Sequence, residues 1–83
     1  MAQVVLSNEL GRQFAGGQTH FEVDAVNVRK LIRTLDEMFP GLGAELESDG
    51  IAIAIDGEIF SDPFLETIAD NSEVYFLPAI KGG

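Results

Sequence analysis

The residues with the clearest chemical meaning are Gly82 and Gly83, the last two of 83. At an average glycine usage near 7%, two glycines at a chain end arise by chance in well under about 1% of chains. Without Cβ atoms such an end lies extended in a narrow channel and leaves its carboxylate open on all sides. An enzyme that must attack that carboxyl group needs this access. A cloning remnant is the bland alternative, and it leaves the strand that precedes the glycines unexplained.

The other reactive side chains assemble into no site. Cysteine is absent, which excludes a disulfide, a thiolate metal centre, an iron–sulfur cluster and a cysteine nucleophile. His20 is the one histidine, so a nucleophilic triad has no partners to complete it and a multi-histidine metal site is excluded. Asp56-Gly57-Glu58 and Asp70-Asn71-Ser72-Glu73 bring acids together without the regular oxygen-ligand spacing of a calcium loop, and they read as turns. No glycine-rich loop ends in Lys-Ser or Lys-Thr between a strand and a helix, so the chain has no nucleotide site of its own. The expectation is a chain that binds no cofactor or metal and offers the carboxylate of Gly83 to chemistry performed elsewhere.

That tail needs a scaffold. Gln3-Val4-Val5-Leu6 has the β-branched character of a first strand, and a polar, glycine-bearing stretch leads to a break at Gly16-Gly17. Thr19 to Val23 alternates, with Thr19, Phe21 and Val23 on one face and His20 and Glu22 on the other. A hairpin with its register set between Arg12 and Gln18 follows from these two runs. Val28, Leu31, Ile32, Leu35 and Phe39 then recur at helical spacing after a candidate N-cap at Asn27, and Pro40-Gly41 stops the helix. Arg29 and Lys30 lie at the positive end of that helix dipole, a small local conflict and a candidate contact point.

A loop through Glu47 leads to Ile51-Ala52-Ile53-Ala54-Ile55, an inner strand with three isoleucines on one face and two alanines on the other. Asp56-Gly57 carries the signature of a type I′ hairpin turn, with Glu58-Ile59-Phe60 as a short return strand. Asp62-Pro63 breaks it, Phe64 to Ala69 suits one helical turn, and Asp70-Asn71-Ser72 turns the chain again. Glu73 to Leu77 is the last strand, with Val74 and Phe76 facing one way, Tyr75 and Leu77 the other, and Pro78 ending the ladder. The order implies an α+β fold in two layers, a mixed sheet of four to five strands with one main helix across it.

Residues 1–83 are of single-domain size, with 46% hydrophobic residues to fill a core and residues 79–83 as a flexible tail. The formal charge of −9 disfavours phosphate backbones and anionic lipid, so nucleic acid and membrane are not expected partners. The start of the chain lacks the basic-then-apolar pattern of a secretory signal, and Ile51 to Ile55 is the longest purely apolar run. The sequence reads as cytoplasmic. No Lys or Arg lies between Leu42 and Ile80, a stretch that carries Glu45, Glu47, Asp49, Asp56, Glu58, Asp62, Glu66, Asp70 and Glu73. This is either a solvated acidic surface or one that steers the chain towards a basic groove on a partner.

The run Ile68-Ala69-Asp70-Asn71-Ser72-Glu73-Val74-Tyr75-Phe76-Leu77-Pro78-Ala79-Ile80-Lys81-Gly82-Gly83 resembles the end of the MoaD and ThiS family of ubiquitin-like, β-grasp sulfur carriers. The resemblance implies that an ATP-dependent activating enzyme, an adenylyltransferase, adenylates Gly83, that a sulfur donor converts it to a thiocarboxylate, and that the tail delivers sulfur inside an acceptor synthase. The small subunit of molybdopterin synthase, acting with its large subunit, is the role expected first, with thiamine, cysteine or another sulfur-containing metabolite as further pathways. Gly82 and Gly83 carry the chemistry in this reading. Leu77, Pro78, Ile80 and Lys81 contact partners, while Phe14 and Phe60 are weaker candidates better read as core. ATP binds on the partner, and the chain is a co-substrate rather than an enzyme. Asn71 stands where the family has Gly, Pro78-Ala79 where it often has two prolines, and Lys81 where it has a small residue. The alternatives are a ubiquitin-like modifier conjugated through Gly83 and an interaction domain with an inert tail.

Overall fold

A computed structural model describes residues 1–60 and 63–79. The elements are β1 (Ala2–Leu6), α1 (Asn8–Phe14), β2 (His20–Val23), α2 (Val28–Met38), α3 (Leu42–Leu46), β3 (Ile51–Ile55), β4 (Glu58–Ile59), a 3₁₀ turn at Pro63–Leu65, and β5 (Glu73–Pro78). They form one sheet in the order β2-β1-β5-β3-β4. β5 lies parallel to β1, and the other neighbours are antiparallel. The α+β mixed sheet expected from the sequence is present, with β5, the last strand in the chain, at its centre.

Alternation decides which way each strand faces. Val4, Leu6, Phe21, Val23, Ile53, Ile55, Val74 and Phe76 are buried and pack in one cluster with Leu10 of α1, Val28, Leu31, Ile32 and Leu35 of α2, and Leu42 and Leu46 of α3. Phe76, Leu31 and Leu35 are among the largest fully buried side chains, and each contributes roughly 1.5–3 kcal/mol by leaving water. The edge of the cluster is closed by Phe39, whose ring meets Phe21 edge-on with centroids 5.3 Å apart. Phe14 and Phe60 pack against the same cluster, as expected.

α2 begins where Asn27 Oδ1 accepts the Lys30 N–H at 2.8 Å, the cap read from the sequence. Gly41 then takes φ 97°, which only glycine adopts without strain, and carries the chain into α3. Asp36 Oδ1 accepts the N–H groups of both Gly41 and Gly43, at 3.1 and 3.0 Å, and so fixes the corner between the two helices.

Four local expectations are corrected. The stretch between β1 and β2 is not a plain hairpin turn, because α1 occupies it, started by the Ser7 hydroxyl accepting the Leu10 N–H at 3.3 Å. The loop through Glu47 contains α3, whose Leu42 and Leu46 lie one helical turn apart and are both buried. Helical structure after Pro63 stops at Leu65; beyond it Val28 donates to the Glu66 carbonyl and Ile68 to that of Val26, which ties this segment to the start of α2. Pro78 belongs to β5 and faces Ile51. The bonds of that pair run through the flanking residues, Ala79 N–H to Gly50 O at 2.8 Å. The N–H that proline lacks would point to the β1 side, where β1 has already ended at Leu6.

Candidate functional site

The helices cover one face of the sheet, and the opposite face carries the side chains that alternate with the core set. Across its middle runs a row set by strand register: His20 opposite Val5, Val5 opposite Tyr75, Tyr75 opposite Ala54, and Ala54 opposite Ile59. Nearer the tail, Leu77 faces Ala52. Ile59 is 66% exposed and Leu77 37%, while Val5, Ala52 and Tyr75 are half-buried. The result is a shallow apolar surface that continues towards the point where β5 ends.

At the far end of the same face the character changes to polar, with Gln3 between Glu22 and Glu73. Gln3 Nε2 donates to Glu22 Oε1 at 3.4 Å, and the Tyr75 hydroxyl donates to Glu73 Oε2 at 3.2 Å. The hydrogen bond to Glu73, and then the negative charge of Glu73, raise the Tyr75 pKa above the ordinary phenol value. Tyr75 therefore presents a neutral hydroxyl over the physiological range, and none of these groups is placed as a nucleophile. Among the described residues no three His, Cys, Asp or Glu side chains converge as a metal site. No helix among them is long and apolar enough to cross a membrane.

β5 is fastened at the end opposite the tail. Its N-terminal end is fastened by Asp56 of the β3–β4 turn: Oδ1 accepts the Glu73 N–H at 2.9 Å, and Oδ2 accepts the Ser72 hydroxyl at 3.0 Å. Ser72 is 4% exposed, and its oxygen in turn accepts the Ala69 N–H at 3.1 Å. Asp56 and Gly57 have φ 51° and 86°, the left-handed pair that a type I′ turn requires. Asn71, standing where the resembled family has Gly, has φ 67°. Asparagine tolerates that region better than any other residue with a Cβ.

Of the residues singled out in the sequence, Leu77 and Pro78 lie on this exposed stretch of β5, and Ala79, expected to begin the tail, donates to Gly50. Ile80, Lys81, Gly82 and Gly83 lie outside the described residues. The contribution of Val5 and Ile59 to the face was not read from the sequence, which did put Ala52 and Ala54 on the face opposite the isoleucines of β3. Their signal was the complement of the core alternation, the side chains left over once the buried set is taken.

Comparison with known proteins places these observations. The family model described as "ThiS family" matches residues 5–83. Among solved structures, Mycobacterium tuberculosis CysO, an antigen, superposes with a TM-score of 0.86 at 22% identity, over 96% of this chain and 100% of that one. The Amycolatopsis orientalis BexX/CysO complex contains a chain with TM-score 0.85 and 23% identity, covering 100% of both. A chain in the complex of subunits 1 and 2 of molybdopterin-converting factor from Helicobacter pylori 26695 gives 0.65 at 18% identity, over 99% of this chain and 97% of that one. No curated protein sequence matches. At these identities the likeness establishes the fold, a ubiquitin-like β-grasp, and two of the similar chains were solved in complex with a partner protein.

Proposed function

The chain belongs to the ThiS family, whose members are small sulfur carriers rather than catalysts, and from that premise we propose that Gly83 is its reactive residue, adenylated and then converted to a thiocarboxylate. The observation that carries the proposal is the placement of β5. The central strand ends beside an uncovered apolar face and passes through Leu77 and Pro78 into a sequence that finishes Ile80-Lys81-Gly82-Gly83.

Those four residues span at most about 14 Å when extended. A partner docked on the open face therefore meets the carboxylate within one such length, inside its own active site. In this reading Leu77 and Pro78 seat against the partner at the exit, Ile80 and Lys81 line the entry of its channel, and Gly82 and Gly83 pass where no Cβ fits. The chemistry is supplied by the partners: an adenylyltransferase that binds ATP, a sulfur donor, and an acceptor synthase. In adenylation a carboxylate oxygen of Gly83 bonds to the α-phosphorus of ATP and pyrophosphate leaves. Sulfide-level sulfur (HS⁻) from the donor then attacks the same carbonyl carbon, forming the C–S bond as the C–O bond to AMP breaks, and loss of the proton leaves the thiocarboxylate.

As acceptor we assign first the large subunit of molybdopterin synthase, with this chain as the small subunit; thiamine, cysteine or another sulfur-containing metabolite are the alternatives. The CysO and molybdopterin-converting factor likenesses share one fold and do not choose among acceptors. Reconstitution with the thiocarboxylated chain does.

The deciding experiment is ATP–pyrophosphate exchange with the cognate activating enzyme, on the native chain and on a chain extended by one alanine. The extension moves the carboxylate by about 3.3–3.6 Å, a displacement as large as the near-attack distance of roughly 3–3.5 Å itself, so exchange should fall by orders of magnitude. Equal exchange by the extended chain removes Gly83 from the chemistry. Mass spectrometry of the cellular protein then separates the readings: sulfur in place of oxygen marks a carrier, a ladder of larger adducts marks a modifier, and an unchanged mass marks an inert tail.

A further inference from the structure

The two sides of β5 lose their neighbours at different points. On the β1 side the last bond among the described residues runs from the Ser7 N–H to the Phe76 carbonyl, at 3.1 Å, because β1 ends at Leu6 and the chain turns into α1. On the β3 side the pairing continues, with Leu77 opposite Ala52 and Pro78 opposite Ile51. It reaches the Ala79 N–H, which donates to the Gly50 carbonyl at 2.8 Å. Ala79 thus carries one-sided support past the point where β1 leaves the strand.

The acceptor is held by local structure. The Ser48 carbonyl accepts the Ile51 N–H at 3.3 Å, and the Ser48 N–H and hydroxyl both donate to the Glu45 carbonyl, at 3.1 and 2.7 Å. These bonds fasten the turn that contains Gly50 to the end of α3. Gly50 is exposed and Ala79 half-buried. A bond at such a strand end adds little to global stability, since ends open without unfolding the rest. Its consequence is directional, because it fixes the atom from which the rest of the chain sets out.

We propose that Ala79 is a positioning residue for the tail, and that its bond to Gly50 aims the chain end at the active site of a partner docked on the open face. The inference rests on the carrier reading of Gly83. Four residues follow Ala79, whereas six follow Leu77, the residue before it whose backbone faces β3 in the alternation of the ladder. Pro78 lies between them and, lacking an N–H, cannot take over the anchor. The volume that a segment of chain explores grows as about the 3/2 power of its length. Moving the anchor back from Ala79 to Leu77 therefore dilutes the carboxylate at a docked site by about twofold. Loss of the fixed direction adds to that dilution.

The test compares three full-length chains. One is native, one carries Ala79→Ser and keeps the N–H, and one is a synthetic chain with Ala79→lactic acid, in which an ester oxygen replaces that N–H alone. Slow hydrogen exchange at the Ala79 amide of the native chain is expected, since a bonded amide is protected. In ATP–pyrophosphate exchange with the cognate activating enzyme the ester chain should show kcat/KM lower by roughly twofold to tenfold, and the Ala79→Ser chain should retain the native value. Melting temperatures, and association rate constants with the activating enzyme from stopped flow, should be equal in all three, because the core and the open face are untouched. Exchange of the Ala79 amide at the rate of an unfolded chain overturns the proposal. So do equal kcat/KM in the ester chain, a lowered melting temperature, and an association rate that falls in step with kcat/KM, which would make Ala79 part of the docking surface. An inactive native chain overturns the carrier reading and this proposal with it, and is told apart because all three chains then fail alike.

Discussion

Asp56 shows how one residue serves two structures. Its backbone makes the hairpin turn, while its carboxylate holds Ser72 and Glu73 at the start of β5. Asp56→Ala should cost about 1–3 kcal/mol, because the buried Ser72 hydroxyl loses its acceptor and the Glu73 N–H loses a charged one. Chemical denaturation reads that loss directly. The turn was legible because Asp-Gly is a local signal, whereas the latch spans 16 or more residues of sequence and no spacing rule reaches it. Leu77 is the second residue to test. Leu77→Glu should change stability by no more than about 0.5 kcal/mol, since the side chain is on the open face. It should weaken association with the activating enzyme, measured by calorimetry, and unchanged affinity would place the docking surface elsewhere.

Among the elements, those with strong periodicity were the readable ones. α2 and four of the five strands carry their 3.6- and 2-residue patterns in Val28, Leu31, Ile32, Leu35 and in the sequence alternations of β1, β2, β3 and β5, while β4, two residues long, was read from the Asp56-Gly57 turn before it. α1 and α3 are seven and five residues long, too short for a period to declare itself. Their signals were single residues: Ser7 three before Leu10, and Leu42 four before Leu46. Both helices exist because tertiary packing completes what their sequence begins. Ser7→Ala tests this for α1: loss of the cap should cost about 1 kcal/mol, seen as a lower unfolding midpoint. An unchanged midpoint would mean that packing of Leu10 alone holds the helix. Pro78 taught the converse lesson, since a breaker ends a ladder only on the side where its N–H was needed.

For the whole molecule, the charge of −9 is the dominant long-range property. With no base between Leu42 and Ile80, approach to a basic activating enzyme should be steered, and raising the salt should slow association more than it speeds dissociation. Stopped-flow rates across a salt series measure this, and salt-independent association would leave the acidic half as a solubility device. The fold was legible at this scale because the order of strands and helix admits few two-layer arrangements. Of the candidate site, the sequence picked out Leu77 and Pro78 on the exposed end of β5, while Ile80 to Gly83 lie outside the described residues. The open face arises when strands distant in sequence stand side by side, and each contributes one or two of its residues.

The central place of β5 also has a mechanical meaning. A pull on Pro78 along the strand axis acts at right angles to the bonds that β5 makes with β1 on one side and β3 on the other. Both ladders are then loaded in shear, so their bonds share the tension instead of opening one after another. An edge strand such as β4, paired on one side through two residues, would peel under a pull directed away from the sheet. A central strand paired on both sides thus resists a pull along its axis better than an edge strand does.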